Sequence, residues 1–228
     1  MITFDLDRAP LRELNQSLHD VAGEGDRRWR IVNPRGRHNI AVGMTQALEV
    51  EVAGHAGYYC GGMNQNAAIT ICGHAGQGVA ENIVSGRVRV KGNASQSAAA
   101  SGRGGLVVIE GDAGARCGIS MKGVDIVVGG SVDHMSAFLA QAGTLVVCGD
   151  AGPDLGDSIY EAVIFVGGQV GSLGADCIEK EMRDEHVLAL REILRAAGAP
   201  DSVKAEEFRR YGSARQLYNF HVDNASAY

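Results

Sequence analysis

Residues 107–118 read Val107-Val108-Ile109-Glu110-Gly111-Asp112-Ala113-Gly114-Ala115-Arg116-Cys117-Gly118. Val107 and Ile109 stand two apart, the spacing that puts side chains on one face of a β-strand. Gly111 ends that short run, with further glycines three and seven positions later. Counting outward from Gly111 in steps of 19 lands on Gly92, Gly73 and Gly54, then on Gly130, Gly149 and Gly168, with no insertion or deletion. Three positions after these markers stand Gly57, Gly76, Ser95, Gly114, Asp133, Gly152 and Gly171. Seven positions after come Gly61, Ala80, Ala99, Gly118, Ala137, Gly156 and Ala175, all small. Positions four and two before the markers read Val50/Val52, Ile69/Ile71, Val88/Val90, Val107/Ile109, Ile126/Val128, Leu145/Val147 and Ile164/Val166.

A strand, a glycine-rich corner and a short return, repeated at constant length, describe one coil of a solenoid. Nineteen residues are too few for two helices, and no 3.6-residue apolar period runs through them. The expected fold is all-β: a single-stranded right-handed parallel β-helix of about seven 19-residue coils, with N- and C-terminal helices. Stacking at about 4.8 Å per coil makes the marked part of the rod roughly 29 Å long and buries the Val/Ile pairs as a continuous spine. A marker glycine fits a corner that needs positive φ or close backbone approach. The small residues at the seventh position let successive corners stack. Side chains on the other strand face vary, from Glu49 and Glu51 in one repeat to Arg87, Arg89 and Lys91 in another. That face reads as solvent or partner surface.

The ends differ from the repeat. Pro10 opens a stretch with Leu11, Leu14, Leu18 and Val21 at helical spacing, closed by Gly23. Asp176 to Ala197 reads as an amphipathic helix with Ile178, Met182, Ile193 and Leu194 on its apolar side, stopped by Gly198 and Pro200. Both are expected to cover the open ends of the rod. The organisation is thus residues 1–28 as an N-terminal helical arm, 29–174 as the β-helix, and 175–228 as a C-terminal helix and aromatic docking tail. The tail holds Phe208, Tyr211, Tyr218, Phe220 and Tyr228 interleaved with Arg209, Arg210 and Arg215, a composition typical of interface anchors. A tail folded back on its own β-helix fits the same composition.

Composition narrows the function. Glycine supplies 32 of 228 residues against four prolines, so the glycines serve geometry rather than low complexity. A net charge of −6 lacks the basic footprint of nucleic-acid binding. No basic n-region precedes an apolar run, and no apolar run approaches the length of a membrane span. A cytoplasmic protein with no membrane and no nucleic-acid partner is expected.

Candidate chemistry is thin. The five cysteines, Cys60, Cys72, Cys117, Cys148 and Cys177, make no C-x-x-C pair. Cys60 and Cys117 share a phase three coils apart, roughly 14 Å, which is beyond disulfide reach. All five read as buried reduced thiols. His55 and His74 each follow a marker glycine and should stack on adjacent coils, close enough to share a metal ion. The same phase continues as Asn93, Asp112, Ser131, Asp150 and Gln169, so an outward polar ladder accounts for all seven without a ligand. The Arg87/Arg89/Lys91 stripe suits an acidic partner or plain solvation.

The full G-x-x-G-x-x-x-G at Gly54/Gly57/Gly61, Gly111/Gly114/Gly118 and Gly149/Gly152/Gly156 resembles the GXGXG domain of glutamate synthases. That domain is a C-terminal β-helix of the large subunit and also occurs as a stand-alone chain. The sequence is most similar to the stand-alone form in N-methylglutamate synthase (methylamine–glutamate N-methyltransferase), a three-subunit enzyme; a similar subunit is encoded in rhizobial operons. Asn33-Pro34-Arg35-Gly36 and Tyr211-Gly212-Ser213-Ala214-Arg215-Gln216-Leu217-Tyr218 belong to the same resemblance. It implies chemistry on other polypeptides: a class II amidotransferase-like subunit with an N-terminal cysteine, and an FMN-binding subunit. FMN, with any iron–sulfur cluster, would sit on that partner. No catalytic, cofactor-binding or metal residue is expected on this chain, which has no cysteine before Cys60 and no room for a (βα)₈ barrel. The resemblance thus implies a non-catalytic scaffold bridging the two subunits. The expected contacts are Arg87, Arg89, Lys91, Tyr211, Tyr218 and Phe220. The alternatives are the β-helix subunit of a formylmethanofuran dehydrogenase-type redox complex, a glutamate synthase β-helix module, and a small groove enzyme of the polysaccharide-lyase kind.

Overall fold

A computed structural model describes residues 1–21 and 26–214. The alternating aliphatic pairs form a ladder of short parallel strands: β2 (Arg28–Val32), β3 (Glu49–Val52), β4 (Ala68–Ile71), β5 (Arg87–Val90), β6 (Leu106–Ile109), β7 (Lys122–Val128), β8 (Ala142–Val147) and β9 (Val163–Val166). The register steps by nineteen, from Val50 to Ile69, Val88, Val107, Ile126, Leu145 and Ile164. All fourteen spine side chains are at most 2% exposed. Fully burying one such side chain is worth about 1.5–3 kcal/mol, so the spine dominates the fold's stability. A second parallel ladder lines the opposite wall, joining Ala56, Ala75, Ala94, Ala113, Val132, Ala151 and Val170 through single bridges. The chain is a parallel β-solenoid of about seven turns carrying two helices.

Between the two ladders the backbone turns through left-handed residues at regular places. Positions five, seven and nine after a marker have φ between 53° and 69° in six consecutive coils, as at Ser97, Ala99 and Ser101 or Met135, Ala137 and Leu139. This conformation costs an L-residue roughly 1–2 kcal/mol. Hydrogen bonds between coils hold it in place: the amides of Ser97 and Met135 donate to the carbonyls of Ala115 and Pro153 at 2.9 Å. That backbone does not by itself select small residues, since Tyr59 and Leu139 share it; the seventh position is small because it is packed in the core, where Ala80, Ala99 and Ala137 are fully buried.

The marker glycines have a different reason. Of the seven, only Gly54 has a positive φ. The others sit where a coil passes close over the one before. A Cβ on Gly130 would lie 2.2 Å from Asp112 Oδ1 and 3.0 Å from the backbone of Gly111.

The ends depart from the sequence expectation. Residues 1–28 hold a strand, β1 (Ile2–Asp5), which pairs in parallel with β2 and starts the sheet. Helix α1 (Leu11–His19) does close the first coil: Leu14 and Leu18 are fully buried in the solenoid core, and Asn15 and His19 hydrogen-bond to backbone of residues 39–42. The helix expected over 176–197 is shorter. Residues Cys177–Lys180 form β10, and α2 spans Asp184–Ala197. Ile178, assigned to the helix's apolar side, is 43% exposed on that strand. The Arg183 amide, bonded to His186 Nδ1, starts the helix, and Gly198 at φ 69° stops it. Strand β11 (Arg209–Ser213) pairs antiparallel with β9, and β10 with β11. The last parallel strand is thus covered by a hairpin-like pair rather than by α2.

Helix α2 lies on the outer face of the sheet. Leu190, Leu194 and Ala197 pack against Val108, Val127, Val146 and Phe165, one outward residue from each of β6–β9, in a second apolar cluster with Ala205 and Phe208. Its fourteen residues span about 21 Å. Four strand steps cover about 19 Å, so the helix crosses β9 to β5.

Gly130→Ala should lower unfolding free energy by about 1–3 kcal/mol, the usual cost of forcing a methyl into a filled site. Gly212→Ala, whose Cβ would meet nothing closer than 3.8 Å, should stay within about 0.5 kcal/mol. Urea denaturation of both variants checks this, and equal losses would contradict the close-approach account.

Candidate interaction surface

The residue after each marker glycine points outward and bonds to the coil that follows. His74 N–H donates to His55 Nδ1 at 2.9 Å, and Asn93 N–H to His74 Nδ1 at 2.9 Å. Asp112 N–H then donates to Asn93 Oδ1, Ser131 N–H to Asp112 Oδ1, Asp150 N–H to Ser131 Oγ and Gln169 N–H to Asp150 Oδ1, at 2.7–3.1 Å. Each side chain is the acceptor for a corner amide one coil on. This work selects His, Asn, Asp and Ser at the phase, since all present an acceptor close to the backbone.

His55 and His74 do stack, with ring centroids 5.0 Å apart and planes 7° from parallel. Because each Nδ1 accepts an amide proton, each neutral ring carries its own proton on Nε2. Parallel planes aim the two Nε2 atoms side by side rather than at one point. Through Nδ1 the pair is built into the ladder.

The thiols are not all alike. Cys60, Cys117 and Cys177 are buried, Cys148 is half-buried and Cys72 is exposed, which corrects the expectation that all five are interior. Cys72 directly follows β4, on the strand face turned away from the spine. Burial pushes the Cys60 and Cys117 thiols up to about 12 and Cys177 to about 11. They stay protonated and unreactive in the native state.

The outer sheet face is divided by α2. Over β6–β9 it is apolar and covered; over β2–β5 it is polar and open. The arginine stripe stands at the division. Arg87 and Arg89 donate to the carbonyls of Ala196 and Ala197 in the last turn of α2, and Arg89 also pairs with Glu110 at 2.7 Å. Cations there meet unsatisfied carbonyls and the negative end of the helix dipole, so much of the stripe's binding capacity is directed at the chain's own helix. Lys91, just after β5, is exposed.

Among the aromatic candidates, Tyr211 is 2% exposed on β11, opposite Ile164, and Phe208 is buried with α2. Tyr211 therefore belongs to the chain's own core and is withdrawn from any partner. Arg209 stays beside it, with its guanidinium 5.9 Å from the Tyr211 ring centroid and donating to Gly168 O at 2.8 Å. Tyr218 and Phe220 lie outside the described residues. Sequence reasoning missed the division of the sheet face, although Val108, Val127, Val146 and Phe165 carry it at the same interval of nineteen.

Comparison with curated proteins finds Protein GlxC of Rhizobium meliloti (strain 1021), 58% identical over 229 residues, an alignment covering 100% of both chains. No protein-family model matches the chain, and no solved structure matches it significantly.

Two outcomes follow from this geometry. Ser131→Ala removes the acceptor for the Asp150 amide and should cost about 0.5–1.5 kcal/mol in urea unfolding. With Ellman's reagent, Cys72 should react promptly in native protein and Cys60 and Cys117 only on unfolding. Prompt reaction of either buried thiol would contradict the packing.

Proposed function

The chain belongs to the GlxC family, and from that premise we propose that it is a structural subunit of a glutamate-synthase-related complex, with no active site of its own. The finer reading is an N-methylglutamate synthase, in which this rod bridges a class II amidotransferase-like subunit and an FMN-binding subunit. An amine released at one centre then reaches the other without crossing bulk solvent. Holding two centres at fixed separation replaces a bimolecular encounter by a local one, which is worth several kcal/mol of effective concentration.

The observation that carries the proposal is the constant spine register of nineteen from β3 to β9, the pattern of a stiff spacer. A catalytic solenoid needs reactive side chains gathered in a groove. Here the outward polar side chains of the corner are occupied in the ladder, and three of the five thiols are locked in the core. The glycine pattern's resemblance to the GXGXG domain supplies the choice of complex.

Purification of a tagged copy from cells that make its neighbours tests the reading. The tagged chain should bring down two larger proteins, one of them with a flavin absorbance spectrum, and methylamine-dependent glutamate methylation should require all three. Recovery of the chain alone, or with proteins that carry no flavin, overturns it.

A further inference from the structure

The open half of the outer sheet face is banded by charge. Strand β3 presents Glu49 and Glu51, β4 presents only Ala68 and Thr70, and β5 with the residue after it presents Arg87, Arg89 and Lys91, Arg89 being held by Glu110 and α2. These bands run along the strands under a trough of about 450 Å³, which the same residues line and which reaches past β3 to Met1, Arg28 and Trp29. Acidic and basic walls stand two strands apart, about 9.6 Å. That width matches one α-helix of about 10 Å. The small floor lets a helix backbone come close, as the outer face already does for α2. Glu51 leans on Arg30 at 3.3 Å and Arg87 on α2. Among the described residues neither Glu49 nor Lys91 has an ion-pair partner.

We propose that this trough receives an amphipathic helix of a partner protein, lying parallel to the strands and crosswise to α2. Basic residues on one of its flanks meet Glu49 and Glu51. Acidic residues on the other meet Lys91 and Arg87, and small or apolar ones rest on Ala68 and Thr70. A four-residue strand is about 13 Å long, which sets the contact at about nine helical residues. Opposed walls also fix direction, because reversing the helix end for end places like charges together. The recognition chemistry does not depend on which complex the chain joins.

A photoreactive benzoylphenylalanine in place of Thr70, in the full-length tagged chain made alongside its natural neighbours, tests this. Irradiation should give one major adduct, mapped by mass spectrometry to a helical segment with basic residues along one flank and acidic along the other. Exchanging the acidic wall for a basic one with Glu49→Lys and Glu51→Lys, which leaves both walls basic, should cut adduct yield at least tenfold at unchanged Tm. If that pair disturbs folding, Glu49→Gln and Lys91→Met singly should each cut it several-fold. No adduct, an adduct to a second copy of this chain, a segment without opposed charges, or a yield indifferent to the exchange would each overturn the proposal. Which protein carries the adduct bears on the bridging role instead, so the two readings fail separately.

Discussion

From β3 to β9 every coil returns to the same phase after nineteen residues, and the rest of the molecule follows from that closure. Spine side chains stack only if each Val or Ile meets its counterpart one coil away, as Val90 meets Ile109. The backbone amides of the corner find carbonyls only under the same condition. So does the outward ladder from His55 to Gln169. Three sets of interactions, apolar, main-chain and side-chain to main-chain, share one periodic constraint. The longer coil between β2 and β3 keeps the strand pairing and the buried spine but lies outside the outward ladder, and in the regular coils registry holds the left-handed corners against their steric strain. The gain from registry exceeds it.

What could be read from the residues is what repeats. The spine pairs, the marker glycines and the small seventh position recur at fixed interval and are visible as a pattern. The left-handed positions five and nine after each marker were not legible, because Gly78, Asn82 and Asp154 suit that conformation there while Tyr59, Arg116, Met135 and Leu139, which do not favour it alone, share it, so no residue type repeats. Their geometry is imposed by the neighbouring coils. Nor did the C-terminal end yield fully. Cys177–Lys180 reads equally as the first turn of an amphipathic helix, and only its pairing with β11 makes it a strand. In the sequence Tyr211 reads as a partner contact for the same reason. Exposure depends on what packs above a side chain, and neither the burial of Tyr211 nor the use of Arg87 by α2 is a local property.

The helix α2 gives a rod of repeated units a front that is not repeated. Along the spine the coils are nearly interchangeable, but on the outer face β3, β5 and β8 present acid, base and aliphatic surfaces in turn. A solenoid with uniform flanks offers many equivalent sliding positions to whatever touches it. One with an asymmetric patch offers a single address, as a positional scaffold requires.

The outward ladder has a further consequence for how such a rod changes over generations. Because each corner side chain serves the coil after its own, any complete coil is compatible with any neighbour that supplies an acceptor at that phase. The interchangeable unit is therefore the whole nineteen-residue cassette. Copying or deleting one outside the stretch that α2 covers alters the distance between the rod's two ends by about 4.8 Å and leaves the ladders in phase. Span becomes a heritable quantity that moves in discrete increments, whereas an inserted codon in a corner must be accommodated within its own coil, as the two extra residues between β2 and β3 are.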